Sequence, residues 1–138
     1  MIFQICLLFY AVACYTTKAL VIERTAREGE KVRLYPGGNV DTWRRERTPG
    51  VAEFIKYCEP DGVGGPHCWQ FVTQDSRVAE PRSVANVQSN GALVLNPAKA
   101  TDSGNYYSGK WTSYNDPQGY RVGQVNFNTT YFNLQVKK

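Results

Sequence analysis

Leu93-Val94-Leu95-Asn96-Pro97-Ala98-Lys99-Ala100-Thr101-Asp102-Ser103-Gly104-Asn105-Tyr106-Tyr107-Ser108-Gly109 is the stretch that decides how this chain of 138 residues is read. Leu93 and Leu95 recur at the two-residue period of a half-buried strand. The polar turn Lys99-Ala100-Thr101 follows. Asp102-Ser103-Gly104-Asn105-Tyr106 then reads as a tight corner feeding another strand.

Outward from that corner, strand signals continue in both directions. Upstream lie Leu20 to Glu23, Gly29 to Tyr35, Val40 to Glu46, Ala52 to Tyr57, Trp69 to Val72 and Ser83 to Val87. Downstream lie Asn105 to Thr112, Tyr120 to Phe127 and Tyr131 to Val136. Turn clusters such as Pro36-Gly37-Gly38-Asn39 and Thr48-Pro49-Gly50 separate them, and no long run has helical spacing. About nine or ten short strands divided by Gly, Pro and Asn turns predict an all-β antiparallel sandwich.

The strand order and its marker residues resemble an immunoglobulin domain of the variable-like kind, a Greek-key sandwich. Asp102, Gly104 and Tyr106 stand where that family has D-x-G-x-Y, whose tyrosine hydroxyl bonds back to nearby backbone. Gly29-Glu30-x-Val32-x-Leu34 resembles the B strand, and Trp43 the core tryptophan of strand C. Glu53 to Tyr57 resembles C′, and Tyr131 to Val136 resembles the closing G strand. The resemblance covers Leu20 to Lys138. It also implies an arginine at the start of the D strand pairing with Asp102. Arg77 and Arg82 are the candidates, a solvated Asp102 capping its own turn being the alternative. The family's inter-sheet disulfide between strands B and F is absent: Ser108 replaces one cysteine, and Pro36 or Leu34 the other. Secreted one-domain immunoglobulin proteins of animals, nematode ones among them, are similar in layout.

Residues 1–19 read as a signal peptide and 20–138 as the mature domain. The apolar run Ile5 to Ala13 is too short to span a bilayer, which takes roughly 20 apolar residues, and has the length of a secretory core. Cleavage after Ala13 and cleavage after Ala19 both fit; the first would leave Cys14 in the mature chain as an odd thiol. No second apolar stretch has spanning length, and the C-terminal Lys137-Lys138 lacks the hydrophobic tail of a lipid-anchor signal, so no membrane anchor is expected. The expected location is extracellular. There Cys58 and Cys68 should form a disulfide. Closing so short a loop stabilises by about 2–3 kcal/mol.

The net charge of +4 is modest. Its one dense basic spot, Arg44-Arg45-Glu46-Arg47, reads as a solvated strand, so no nucleic-acid partner is expected. Nor does the chain offer the parts of an enzyme. His67 is the only histidine. A disulfide would consume the neighbouring Cys68, and three Cys and His residues are too few for a closed zinc site. No catalytic residue, metal or cofactor is expected.

A binding module remains. If Trp43 and Tyr106 point inward, alternation puts Arg44, Glu46, Tyr107 and Trp111 together on an outer face. Tyr114, Tyr120 and Arg121 lie in the following segment, Thr112 to Arg121, whose Tyr, Ser, Asn and Gly suit a recognition loop. Trp111 has a second reading, folded back as a satellite core under that loop. The expected partner is an extracellular protein or cell-surface receptor; the alternative is homophilic contact in an extracellular matrix protein. Asn128-Thr129-Thr130 is an N-glycosylation acceptor pattern, and a glycan there is expected to shield part of the same face.

Overall fold

A computed structural model describes residues 20–60 and 64–138. The proposed leader, its cleavage point, Cys6 and Cys14 lie outside the described residues. Eight strands are present among those described: β1 (Val21–Arg27), β2 (Val32–Leu34), β3 (Thr42–Thr48), β4 (Val51–Lys56), β5 (Ala85–Val87), β6 (Leu93–Leu95), β7 (Gly104–Asn115) and β8 (Arg121–Lys137).

They form two sheets, one ordered β1-β8-β7-β3-β4 and one ordered β2-β6-β5. β1 runs parallel to β8, with Val21 opposite Tyr131, and all other pairs are antiparallel. In this order β4, β3, β7 and β8 take the places C′, C, F and G, and β2, β6 and β5 the places B, E and D. The fold is therefore an immunoglobulin-like sandwich of the variable type.

Alternation explains the core. Val32 and Leu34 on β2, Trp43 and Arg45 on β3, Glu53 and Ile55 on β4, and Tyr106 on β7 are all buried. Trp43 is fully buried, its indole N–H donating to the Gly91 carbonyl at 2.8 Å. Fully burying each Leu or Val of this core stabilises by about 1.5–3 kcal/mol. The Tyr106 hydroxyl donates to the Asp102 carbonyl and closes the corner read from the sequence. Burial raises its pKa to about 12.

Asp102 is partnered differently from the expectation. Arg77 bonds the neighbouring Asp75 and Arg82 the neighbouring Glu80, both in solvent. The buried partner is Arg45 on β3, 3.3 Å from the Asp102 carboxylate, and the Ser83 hydroxyl also donates to it. Arg45 further donates to Glu53 at 2.8 Å and to the Tyr106 hydroxyl at 3.1 Å, and its guanidinium lies 3.7 Å from the centre of the Phe71 ring. An ion cluster thus occupies the lower core. Burial pushes the Glu53 carboxyl upward, but hydrogen bonds from Arg47 and the charge of Arg45 outweigh it and hold the pKa below normal.

Cys58 and Cys68 are bonded, with Cα atoms 5.5 Å apart. The bridge ties the end of β4 to a short 3-10 turn, Pro66–Cys68, and does not join the two sheets. Trp69 to Val72 is not a strand. Only isolated pairs, Phe54 with Val72 and Val72 with Val78, form there, and the chain turns back on itself from Thr73 to Arg77.

Candidate functional site

The F–G region departs most from the sequence expectation. Thr112 to Arg121 is not a long loop. β7 continues to Asn115 and β8 begins at Arg121, paired from Gly109–Phe127 to Asn115–Arg121. β3 reaches only as far as Gly109, where Thr42 pairs with it. The outer part of the hairpin therefore projects as two strands alone. Asp41 anchors its base, accepting from the Trp111 backbone N–H at 3.0 Å and pairing with Lys110 at 3.3 Å. Asp116 orders its tip, where its carboxylate accepts from the backbone N–H groups of Gln118 and Tyr120.

Between the Tyr107–Tyr131 and Gly109–Phe127 pairs, β7 advances two residues while β8 takes four. The surplus is a bulge at Asn128 to Thr130. Because two residues are added, alternation survives on both sides of it. Gly109 is required here: a Cβ would lie 2.7 Å from the Asn126 carbonyl oxygen.

That parity builds one continuous outer face. Arg44, Tyr107 and Tyr131 share it with Phe54, and further out come Phe127, Trp111 and Val125. Tyr107 stacks on Tyr131 at 4.8 Å, and Phe54 lies 6.3 Å from Phe127. The Arg44 guanidinium sits 4.5 Å from the Tyr107 ring centre and 5.3 Å from that of Phe127, a cation–π arrangement. The Tyr107 phenol has its pKa raised by burial, then by the charge of Glu46 and the neighbouring Tyr131. Glu46 lies one row down, half-buried opposite Asn105.

Trp111 is 54% exposed and lies across Gly123, where a Cβ would come within 2.0 Å of its ring. It is an open platform on the hairpin and not a satellite core. Tyr114, 51% exposed, points to the opposite side of the hairpin, since it is an odd number of residues from Trp111. Tyr114, expected in a recognition loop, therefore does not share the Trp111 surface. Arg121 returns to the Trp111 side and donates to the Ser113 hydroxyl at 3.1 Å, and Tyr120, 71% exposed, crowns the tip. Phe54, Phe127, Tyr131 and Val125 were missed. Alternation in Val125-Asn126-Phe127 carried the signal, but the bulge hid which face it belonged to.

Asn128 lies on the other side of β8 from Phe127, its side-chain amide donating to the buried Ser108 hydroxyl at 3.0 Å. A glycan there would stand away from the aromatic face, contrary to the expectation that it shields it.

Cys68 is held in the disulfide, so His67 has no free thiol beside it; burial, then the charge of Lys56, lowers its pKa. Among the described residues no group of three or more His, Cys, Asp or Glu side chains converges to hold a metal, and no helix is long and apolar enough to cross a membrane.

No family model and no curated protein matches the chain. Among solved structures it is similar to the extracellular fragment, with stalk, of Novel Immune-Type Receptor 11 from Ictalurus punctatus, at 16% identity and a TM-score of 0.48, covering 86% of each chain. The same receptor's fragment without the stalk gives 18% identity and a TM-score of 0.46, over 83% of this chain and 96% of that one. Novel Immune-Type Receptor 10 from the same fish gives 16% and 0.47, over 83% and 96%.

Proposed function

We propose that this protein is a secreted, single immunoglobulin-like domain that recognises another extracellular protein through the outer face of its larger sheet and the hairpin that extends it. The observation that carries this reading is the aromatic row Tyr107, Tyr131, Phe127 and Trp111 around Arg44, continued onto a hairpin with no third strand. Two-stranded ribbons are marginal in water by themselves, and rigid aromatic and arginine side chains are the types that anchor protein interfaces. Sugars and nucleotides are less suited to so extended and shallow a face, which fits a protein surface better than a small molecule.

Expression of the full chain in animal cells tests secretion directly: the protein should appear in the medium, cleaved near Ala13 or Ala19. Light scattering on the purified domain separates recognition from self-assembly. The proposal expects a monomer at micromolar concentration, and a stable dimer or higher polymer would favour the matrix reading instead.

A further inference from the structure

A cleft opens where Pro36 and Ser108 stand in place of the inter-sheet disulfide that the family resemblance implies, and its lining names what covers it. Pro36 follows β2 by two residues and, with Ser108 of β7, lines that cleft, so Pro36 and not Leu34 holds the place of the missing B-strand cysteine. Ile22, Gly38, Asn128 to Thr130 and Phe132 complete it. No charged side chain lines the cleft, Ile22 is 39% exposed, and Phe132 forms its floor against Trp43 at 5.8 Å. The acceptor pattern Asn128-Thr129-Thr130 is thus itself one wall of the opening.

We infer that Asn128 carries an N-linked glycan whose first N-acetylglucosamine roofs this cleft and takes over part of the stabilising role of the lost disulfide. In the transfer, the Asn128 amide nitrogen forms a bond to the anomeric carbon of the sugar. The bond from that carbon to its lipid pyrophosphate carrier breaks, and the nitrogen gives up one proton. An asparagine amide has two N–H groups. One therefore remains to hold Ser108, and the 3.0 Å contact keeps the Asn128 amide at the wall of the cleft. The neutral ring lays its apolar C–H face on Ile22, Pro36 and Phe132, where a charged ligand would find no partner. Alternation from Phe127 already sets Asn128 on the side away from the recognition face, and the surplus residues Asn128 to Thr130 form the wall of the cleft there.

The inference requires passage through the secretory pathway, so the test places the full chain behind an independent secretion leader and reads glycan occupancy separately from the chain's own leader. In cells restricted to high-mannose glycans, intact mass should show one glycan, absent from Thr130→Ala and restored in Thr130→Ser. Trimming with endoglycosidase H to the single first sugar should leave Tm unchanged, whereas Thr130→Ala should melt roughly 3–6 °C lower. Made without glycosylation in bacteria, wild type and Thr130→Ala should melt together. An unoccupied Asn128, equal Tm with and without the sugar, or a Thr130→Ala loss that persists in the bacterial proteins would each overturn the inference.

Discussion

Arg45→Met is the perturbation that separates the observed core from the one the family resemblance implied. Arg45 is fully buried and bonds three groups, the Glu53 and Asp102 carboxylates and the Tyr106 hydroxyl. Methionine keeps most of the length and the contact with Phe71 but removes the charge. Glu53 keeps Arg47, whose two nitrogens reach its two oxygens at 2.8 Å. Asp102 keeps only neutral donors, Ser83 and the Lys99 backbone N–H, for a fully buried negative charge. Breaking a buried pair from one side costs about 3–5 kcal/mol. For a domain of this size that is a fall in Tm of roughly 10–20 °C. Urea unfolding followed by tryptophan fluorescence, with Trp43 as the buried reporter, measures it. Arg45→Met/Asp102→Leu should recover part of the loss, because removing both charges leaves no orphan. Arg77→Ala and Arg82→Ala should be nearly silent. A loss below about 1 kcal/mol for Arg45→Met, or an equal loss for Arg82→Ala, would refute the reasoning.

Two further outcomes follow from the same geometry. The Glu53 pKa is lowered in the folded state, so its contribution is full above the unfolded carboxylate value of about 4.3 and is lost as pH falls through the folded value; a pH series of urea midpoints should show an acid limb that Glu53→Gln flattens. Gly109→Ala places a methyl group against the Asn126 carbonyl, so hydrogen exchange should rise from Lys110 to Asn126 while the Leu93 to Leu95 amides stay protected.

The sandwich was legible in the sequence because its signals are local. Period-two alternation, the turn clusters and the Asp102-x-Gly104-x-Tyr106 corner each occupy a few adjacent residues, and Trp43 is buried as read. The Cys58–Cys68 bridge was legible from loop length. What stayed hidden depends on contacts distant in sequence. Arg45 looks like one more solvated residue in Arg44-Arg45-Glu46-Arg47, and only its pairing across to Asp102, 57 residues away, shows otherwise. The site was half legible. Parity from Tyr106 placed Tyr107 and Trp111 outward, but the polar, Gly-containing hairpin resembled a loop, and the bulge at Asn128 masked the register of Phe127 and Tyr131. Tyr114 was given no side for the same reason: a loop has no alternation to count.

The central claim, recognition through the outer face and its hairpin, is tested most directly by the affinity of surface variants for an extracellular protein that the wild-type domain binds. Screening the purified domain against a panel of secreted and cell-surface ectodomains supplies that protein. Arg44→Ala and Trp111→Ala should each weaken binding by about tenfold or more, with Trp111→Ala leaving urea stability within about 1 kcal/mol of wild type. Trp69→Ala removes an equally exposed tryptophan beside the disulfide, away from the hairpin, and should bind as wild type does. Unchanged affinity in the Arg44 and Trp111 variants, or a loss confined to Trp69→Ala, would contradict the account.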